Sequence, residues 1–121
     1  MVKALVVDDV RAMVDGICRM LTLLDIQADP AYGSRAAIIY LNGQTPDVVL
    51  MDLNMPGLGG MDVISYMTRE PHLADVPVIV VTSDDQPETA ERVRALGARA
   101  LLIKPVKFDD LETVLKKIGL I

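Results

Sequence analysis

Four polar stations along the chain could share one chemistry: Asp8-Asp9, Asp52, Thr82-Ser83 and Lys104-Pro105. Each follows an apolar run, so each is a place where a hydrophobic element delivers a reactive group to a loop. Brought together, Asp8, Asp9 and Asp52 would repel one another and raise their pKa values unless a cation intervened. Their ligand atoms are all oxygens, which select a hard cation. A shallow site with few carboxylates and room for water suits Mg²⁺ better than a many-liganded Ca²⁺ cage. No His or Cys stands near these positions, so zinc has no support. A carboxylate can also act as a nucleophile on a phosphoryl group, giving an aspartyl phosphate. That transfer needs neutralisation of charge on the equatorial oxygens, and a metal, the Lys104 ammonium and the Thr82 hydroxyl would provide it. Asp52, in "VVLMDLNMPG", poses the question most sharply, because a turn aspartate is the plain alternative for that residue taken singly.

The elements that must position these groups are legible as an alternation. Five short apolar runs recur: Ala4 to Val7, a weak one from Gln27 to Ala31, Val48 to Met51, Val78 to Val81, and Leu101 to Ile103. All but the second are near-continuous, which suits strands covered on both faces in a parallel sheet. The second is polar and contains Pro30, which fits an edge strand. Helical periods lie between the runs. Val10, Met13, Val14, Ile17, Leu21 and Leu24 form one apolar stripe, with Cys18 beside it. Ala36 to Leu41 fill a second helix that stops near Asn42-Gly43, and Val63, Ile64 and Met67 carry a third. The fourth starts at "DQPET" with Pro87 in the first turn, and its stripe of Ala90, Val93 and Leu96 is thin. The fifth, on Leu111, Val114, Leu115 and Ile118, has acids early and Lys116, Lys117 and Gly119 late.

This alternation predicts an α/β fold, a doubly wound five-stranded parallel sheet with five helices in a three-layer sandwich. A barrel needs about twice the residues. Ligands of such sheets bind outside the carboxyl ends of the strands, and all four polar stations fall at that edge.

Composition narrows the function. A chain of 121 residues fits a single domain, 1–121, able to bury roughly two-thirds of its unfolded surface. The net charge of −5 and scattered basic residues argue against direct nucleic-acid binding, and Arg92, Arg94 and Arg99 read as a solvated helix face. No run approaches the roughly 20 apolar residues of a membrane span, and the first strand leaves no room for a signal peptide. One unpaired cysteine, Cys18, adds the expectation of a cytoplasmic protein.

With Asp-Asp after the first strand, "MDLNMPG" after the third, "VTS" after the fourth and "KP" after the fifth, the whole chain resembles the receiver domain of two-component response regulators, of the stand-alone chemotaxis type. The resemblance implies a flavodoxin-like strand order of 2-1-3-4-5 and Mg²⁺-dependent phosphorylation of Asp52 by a sensor histidine kinase or a phosphotransfer protein. It implies that Asp9, Asp52 and the backbone carbonyl of Asn54 ligate Mg²⁺, with Asp8 acting through a coordinated water. Lys104 pairs with the phosphoryl oxygens, and Thr82, with Ser83 beside it, forms the switch. A cis bond precedes Pro105, and Gly60 is the glycine of the loop entering the third helix. The implied partner surface is formed by the fourth helix, fifth strand and fifth helix, for a downstream protein or a second copy.

Two positions depart from that pattern. Leu101 stands three before Lys104, where the family's switch uses an aromatic residue, so hydrogen-bonded aromatic gating is lost. Gly59 replaces an acid that often precedes Gly60. Asn54 and Asp84, each two residues after a site residue, are candidates for tuning dephosphorylation. Three rival functions fit these residues less well. A dehalogenase-type phosphatase would carry an acid where Asn54 stands, and a flavodoxin-like binder would have a Ser/Thr/Gly-rich loop where "DDVRAM" stands. A receiver-like binding module independent of phosphorylation would not need every site residue kept. The expected role is therefore a phosphoacceptor and switch, not a turnover enzyme on external substrates.

Overall fold

Strand residues of alternating parity face opposite layers, and the computed structural model, which describes residues 1–121, shows both faces covered. The element order is β1 (Lys3–Asp8), α1 (Arg11–Leu23), β2 (Gln27–Tyr32), α2 (Ser34–Gly43), β3 (Val48–Asp52), α3 (Gly60–Arg69), β4 (Val78–Thr82), α4 (Pro87–Ala95), β5 (Ala100–Ile103) and α5 (Phe108–Lys117). The sheet runs β2-β1-β3-β4-β5 with every neighbouring pair parallel, as the family resemblance implied.

Ala4 and Val6 of β1, Val48 and Leu50 of β3, and Ile79 and Val81 of β4 pack with Val14, Ile17 and Leu21 of α1 and Leu111 and Leu115 of α5. Leu5, Val7, Val49, Met51, Val78 and Val80 pack the other way, against Ala37, Leu41, Val63, Ile64, Met67 and Val93. The sheet is thus the middle layer, with α1 and α5 on one side and α2, α3 and α4 on the other. Each fully buried aliphatic side chain contributes about 1.5–3 kcal/mol, and continuous apolar strands gain it on both faces. β2 is an edge strand, bonded only to β1, a position where a proline's missing N–H is tolerated.

Three details of the helices differ from the periodic reading. Val10 is 53% exposed and lies outside α1, because its extended backbone (φ −95°, ψ 108°) makes it the residue before the first turn. Its N–H donates to Asp8 Oδ1 at 3.0 Å, which turns the chain outward there. Met13 and Leu24 flank the stripe and are only half-buried. His72 is exposed, and its Nε2 lies 2.9 Å from the Leu41 carbonyl, bridging its loop to α2. Cys18 packs half-buried on the α1/α5 side. Burial, with Asp15 and Asp29 nearby, pushes its thiol pKa up, which keeps it inert. Arg92, Arg94 and Arg99 are all exposed.

Candidate functional site

Parallel strands all point their carboxyl ends to one edge, so the last residue of each central strand arrives at the same crevice. Asp8 ends β1, Asp52 ends β3, and Thr82 ends β4, in register with neighbours Tyr32, Val81 and Ile103 respectively. Lys104 follows β5, and its N–H donates to the Thr82 carbonyl at 2.8 Å. The Lys104–Pro105 peptide bond is cis. Carboxylate oxygens of Asp8, Asp9 and Asp52 all lie within 4.8 Å of one another. Lys104 Nζ bridges two of them, 3.0 Å from Asp8 Oδ2 and 3.0 Å from Asp52 Oδ1.

The electrostatics follow from burial. Asp8 and Asp52 are 2% and 4% exposed, whereas Asp9 faces water. Loss of water pushes the Asp52 carboxyl above its usual range. The Lys104 hydrogen bond opposes that shift, the Asp8 charge adds to it, and the Asn54 backbone N–H opposes it again. One ammonium shared between two carboxylates does not offset the desolvation of Asp52. Burial alone would lower the Lys104 pKa, but the hydrogen bonds and charges of Asp8 and Asp52 outweigh it and hold the ammonium above its ordinary value. Three carboxylates against one ammonium leave a local deficit of positive charge. The donor set is entirely oxygen, and Asp9 leaves a solvated side for water ligands, so the residues fit Mg²⁺.

The remaining site residues separate. Thr82 is fully buried and its Oγ1 accepts the Asp84 N–H at 3.1 Å. Ser83 is exposed and takes no part in the hydrogen bonds around Thr82. Asn54 is exposed in the loop after β3. Leu101, half-buried in β5, packs against the α2–α4 core. Gly60 sits directly beneath the site, its N–H donating to the Leu53 carbonyl at 3.0 Å. Gly59 donates its N–H to Asp62 Oδ2 at 3.2 Å, which fastens the start of α3.

Asp84 has a second task that spacing did not reveal. Its Oδ1 accepts the Gln86 N–H at 3.0 Å, and its Oδ2 accepts the Thr89 hydroxyl at 2.6 Å. The two-residue reach to Gln86 is a local turn signal, but the bond to Thr89 has no sequence signature. Thr89, then the Gln86 N–H and the Arg92 charge, hold the Asp84 carboxyl below its usual range. A carboxyl lowered on folding adds stability above its unfolded pKa of about 3.9, and that stability is lost as pH falls through the folded value. Asp84→Ala is therefore expected to melt below the wild type at pH 7. The gap should narrow in thermal scans repeated at pH values progressively below the unfolded pKa of about 3.9.

A concavity of about 490 Å³ lies away from the carboxylates. It is a groove between α4, β5 and α5 floored by Val93, Leu101, Val114 and Ile118 and edged by Arg94, Arg99 and Lys117. A smaller crevice of about 280 Å³ beside the site is lined in part by Asn54, Thr82, Asp84 and Thr89.

Comparison with known proteins agrees with this geometry. The family described as "Response regulator receiver domain" matches residues 4–116. Protein PilH of Pseudomonas aeruginosa is 35% identical over 119 residues, covering 98% of this chain and 96% of PilH. The chemotaxis protein CheY4 of Vibrio cholerae superposes with a TM-score of 0.91 at 24% identity, over 98% of both chains. The response regulator protein TrrA of Thermotoga maritima, solved in complex with Mg²⁺-BeF, superposes with a TM-score of 0.86 at 24% identity, over 98% of this chain and 99% of TrrA.

Proposed function

The chain belongs to the response regulator receiver family, and from that premise we propose that Asp52 is its phosphoacceptor and that residues 1–121 act as one phosphorylation-driven switch. Receivers are signalling modules that switch on phosphorylation and interact with histidine kinases or phosphotransfer proteins and with downstream effectors. The observation that carries the assignment of Asp52 is the Lys104 ammonium bridging Asp8 and Asp52 at the open edge of the sheet.

In the proposed reaction a carboxylate oxygen of Asp52 attacks the phosphorus of a phosphohistidine. The O–P bond forms as the P–N bond breaks, and its electron pair leaves with the imidazole nitrogen. Asp9, Asp52 and the Asn54 carbonyl would hold Mg²⁺, with Asp8 reaching it through water. When bound, the metal neutralises charge developing on the phosphoryl oxygens. Lys104 already stands 3.0 Å from Asp52 Oδ1 and pairs with one of those oxygens. Thr82 exchanges the Asp84 N–H for a hydrogen bond to another. Asn54 and Asp84 flank the path of water for the return hydrolysis.

The proposed output surface is the α4/β5/α5 groove, whose three cations stand out on a chain of net charge −5 and suit acidic residues on a downstream protein or a second copy. The proposed setting is the cytoplasm; no helix is long and apolar enough to cross a membrane.

Incubation with acetyl phosphate tests the assignment. Intact mass should show one added phosphoryl group that requires Mg²⁺, disappears with EDTA and is labile to base. A folded, Mg²⁺-binding protein that takes up none would instead be a phosphorylation-independent binding module.

A further inference from the structure

A helix covering a sheet normally turns apolar residues inward and charges outward, but the outward face of α2 breaks that rule. Its exposed residues are Arg35, Ala36, Ile39, Asn42 and Gly43, and Arg35 is the only charge among them. Ile39 is 65% exposed, and Leu58, in the loop after β3, is 52% exposed. A groove of about 430 Å³ runs between them, lined also by Ile38 and Pro56. We propose that this face is the contact of a homodimer, in which α2 packs antiparallel to α2 of a second copy with Ile39 on the twofold axis.

The ends of the helix fix the direction of the pair. Arg35 stands in the first turn, at the positive end of the helix dipole, and none of the chain's ion pairs includes it. No acid shares that turn, and no base stands in the last turn to meet the negative end. The carbonyls of the last turn are also short of donors. That of Tyr40 accepts the Gln44 N–H, and that of Leu41 lies 2.9 Å from His72 Nε2. The Asn42 carbonyl would need an N–H from Pro46, which has none. The Asp47 N–H that could serve Gly43 is donated to the Lys3 carbonyl at 2.8 Å instead. In an antiparallel pair centred on Ile39, Arg35 lies four residues before the axis and Gly43 four after it. Each guanidinium then meets the last turn of the other copy, where open carbonyls accept its N–H groups and the dipole favours its charge. A parallel pair would set the two Arg35 side chains against each other.

The same arrangement takes Ile39 and Leu58 of both copies out of water, while Ala36 and Gly43 let the two helices approach closely. A face with one cation suits neither a nucleic-acid backbone nor an anionic membrane. α3 separates it from the α4/β5/α5 groove, touching α2 through Tyr66 and Asn42 and α4 through Met61 and Arg92. One helix face and one loop fall at the low end of interface sizes, so the dimer is weak and forms at high protein concentration.

Sedimentation velocity from about 10 µM to about 1 mM tests this, on the wild type, Ile39→Lys, Arg35→Glu and, in the other groove, Arg94→Glu. The weight-average mass of the wild type should climb toward twice the monomer value, and Arg94→Glu should follow it. Ile39→Lys sets two cations on the axis, and Arg35→Glu sets an acid against the other copy's carbonyls. Each should weaken association at least tenfold. Arg35→Glu carries its own folding control, because an acid in the first turn suits the dipole of the monomer. Its melting midpoint in dilute solution should match or exceed that of the wild type. A wild type that stays monomeric throughout overturns the dimer and leaves the face to a different protein. Association that survives Ile39→Lys and Arg35→Glu overturns it as well. Loss of association in Arg94→Glu alone would also overturn it, and would put the contact in the α4/β5/α5 groove.

Discussion

Asp52→Asn is expected to take up no phosphoryl group from acetyl phosphate, and yet to unfold at a higher temperature than the wild type when divalent cations are chelated. The first effect follows from chemistry, since an amide oxygen is no nucleophile toward phosphorus at neutral pH. The second follows from burial. The Asp52 carboxyl titrates above its ordinary range because it is desolvated, against the pull of Lys104 and with the push of Asp8. A carboxyl whose pKa rises on folding costs stability that grows as pH climbs above its unfolded value. Asparagine removes it without stranding the ammonium, because Lys104 keeps Asp8 at 3.0 Å. Relief of that buried charge is the source of the expected gain.

Mg²⁺ should reverse the order. At a hundredfold excess over its dissociation constant, a ligand specific for the folded state adds about 2.7 kcal/mol, and the variant loses most of that with one of its ligands. Thermal midpoints in EDTA should therefore favour Asp52→Asn, by a margin that shrinks in acid, and midpoints in excess Mg²⁺ should favour the wild type. Equal midpoints in both buffers would remove Asp52 from the metal site.

Gly60→Ala is expected to be the most disruptive single methyl group in the molecule. A Cβ at Gly60 would stand 2.1 Å from the Asp52 carbonyl oxygen, 2.9 Å from Leu53 Cα and 3.0 Å from the Asp52 carbonyl carbon. These are backbone atoms, so nothing flexible can give way. Either α3 withdraws, breaking the Gly60 N–H bond to Leu53, or the end of β3 moves and takes the Asp52 carboxylate with it. Overpacking of this kind costs about 3 kcal/mol, seen as a lower urea midpoint with an unchanged slope. Displacing a nucleophile by about 1 Å slows reaction on the order of 10²-fold, so phosphorylation rate should fall along with stability. Gly59→Ala is the contrast. Its Cβ would meet the Leu53 carbonyl at 3.3 Å, a gap that a few tenths of an ångström relieve, and Asp62 Oδ2 at an ordinary 3.9 Å, so both effects should be small.

Much of this was legible in the chain itself. Strand and helix positions follow from local periodicity, since a residue's tendency to be buried is carried by its own side chain and its neighbours one turn or one pleat away. The reactive groups were legible because each ends an apolar run: Asp8, Asp52, Thr82 and Lys104 all occupy the expected edge. Ser83 shared the motif but not the hydrogen bonds, because a strand alternates its side chains and only Thr82 turns inward. Val10 kept the helical period but fell one residue outside the helix, where period no longer governs burial.

The sequence alone therefore determined the alternation, the identity of the reactive groups and the sheet edge that holds them, because these depend on side-chain type and short-range order. Tertiary structure decided what each group faces. Lys104 reaches Asp8 across 96 residues and Asp52 across 52. Asp52 is raised by burial more than its ammonium partner lowers it. Asp84 grips Thr89, and Gly60 must lack a side chain because the Asp52 carbonyl fills its space. Distances, desolvation and steric room arise only when parallel strands and their covering helices pack in one register, and no local pattern encodes them.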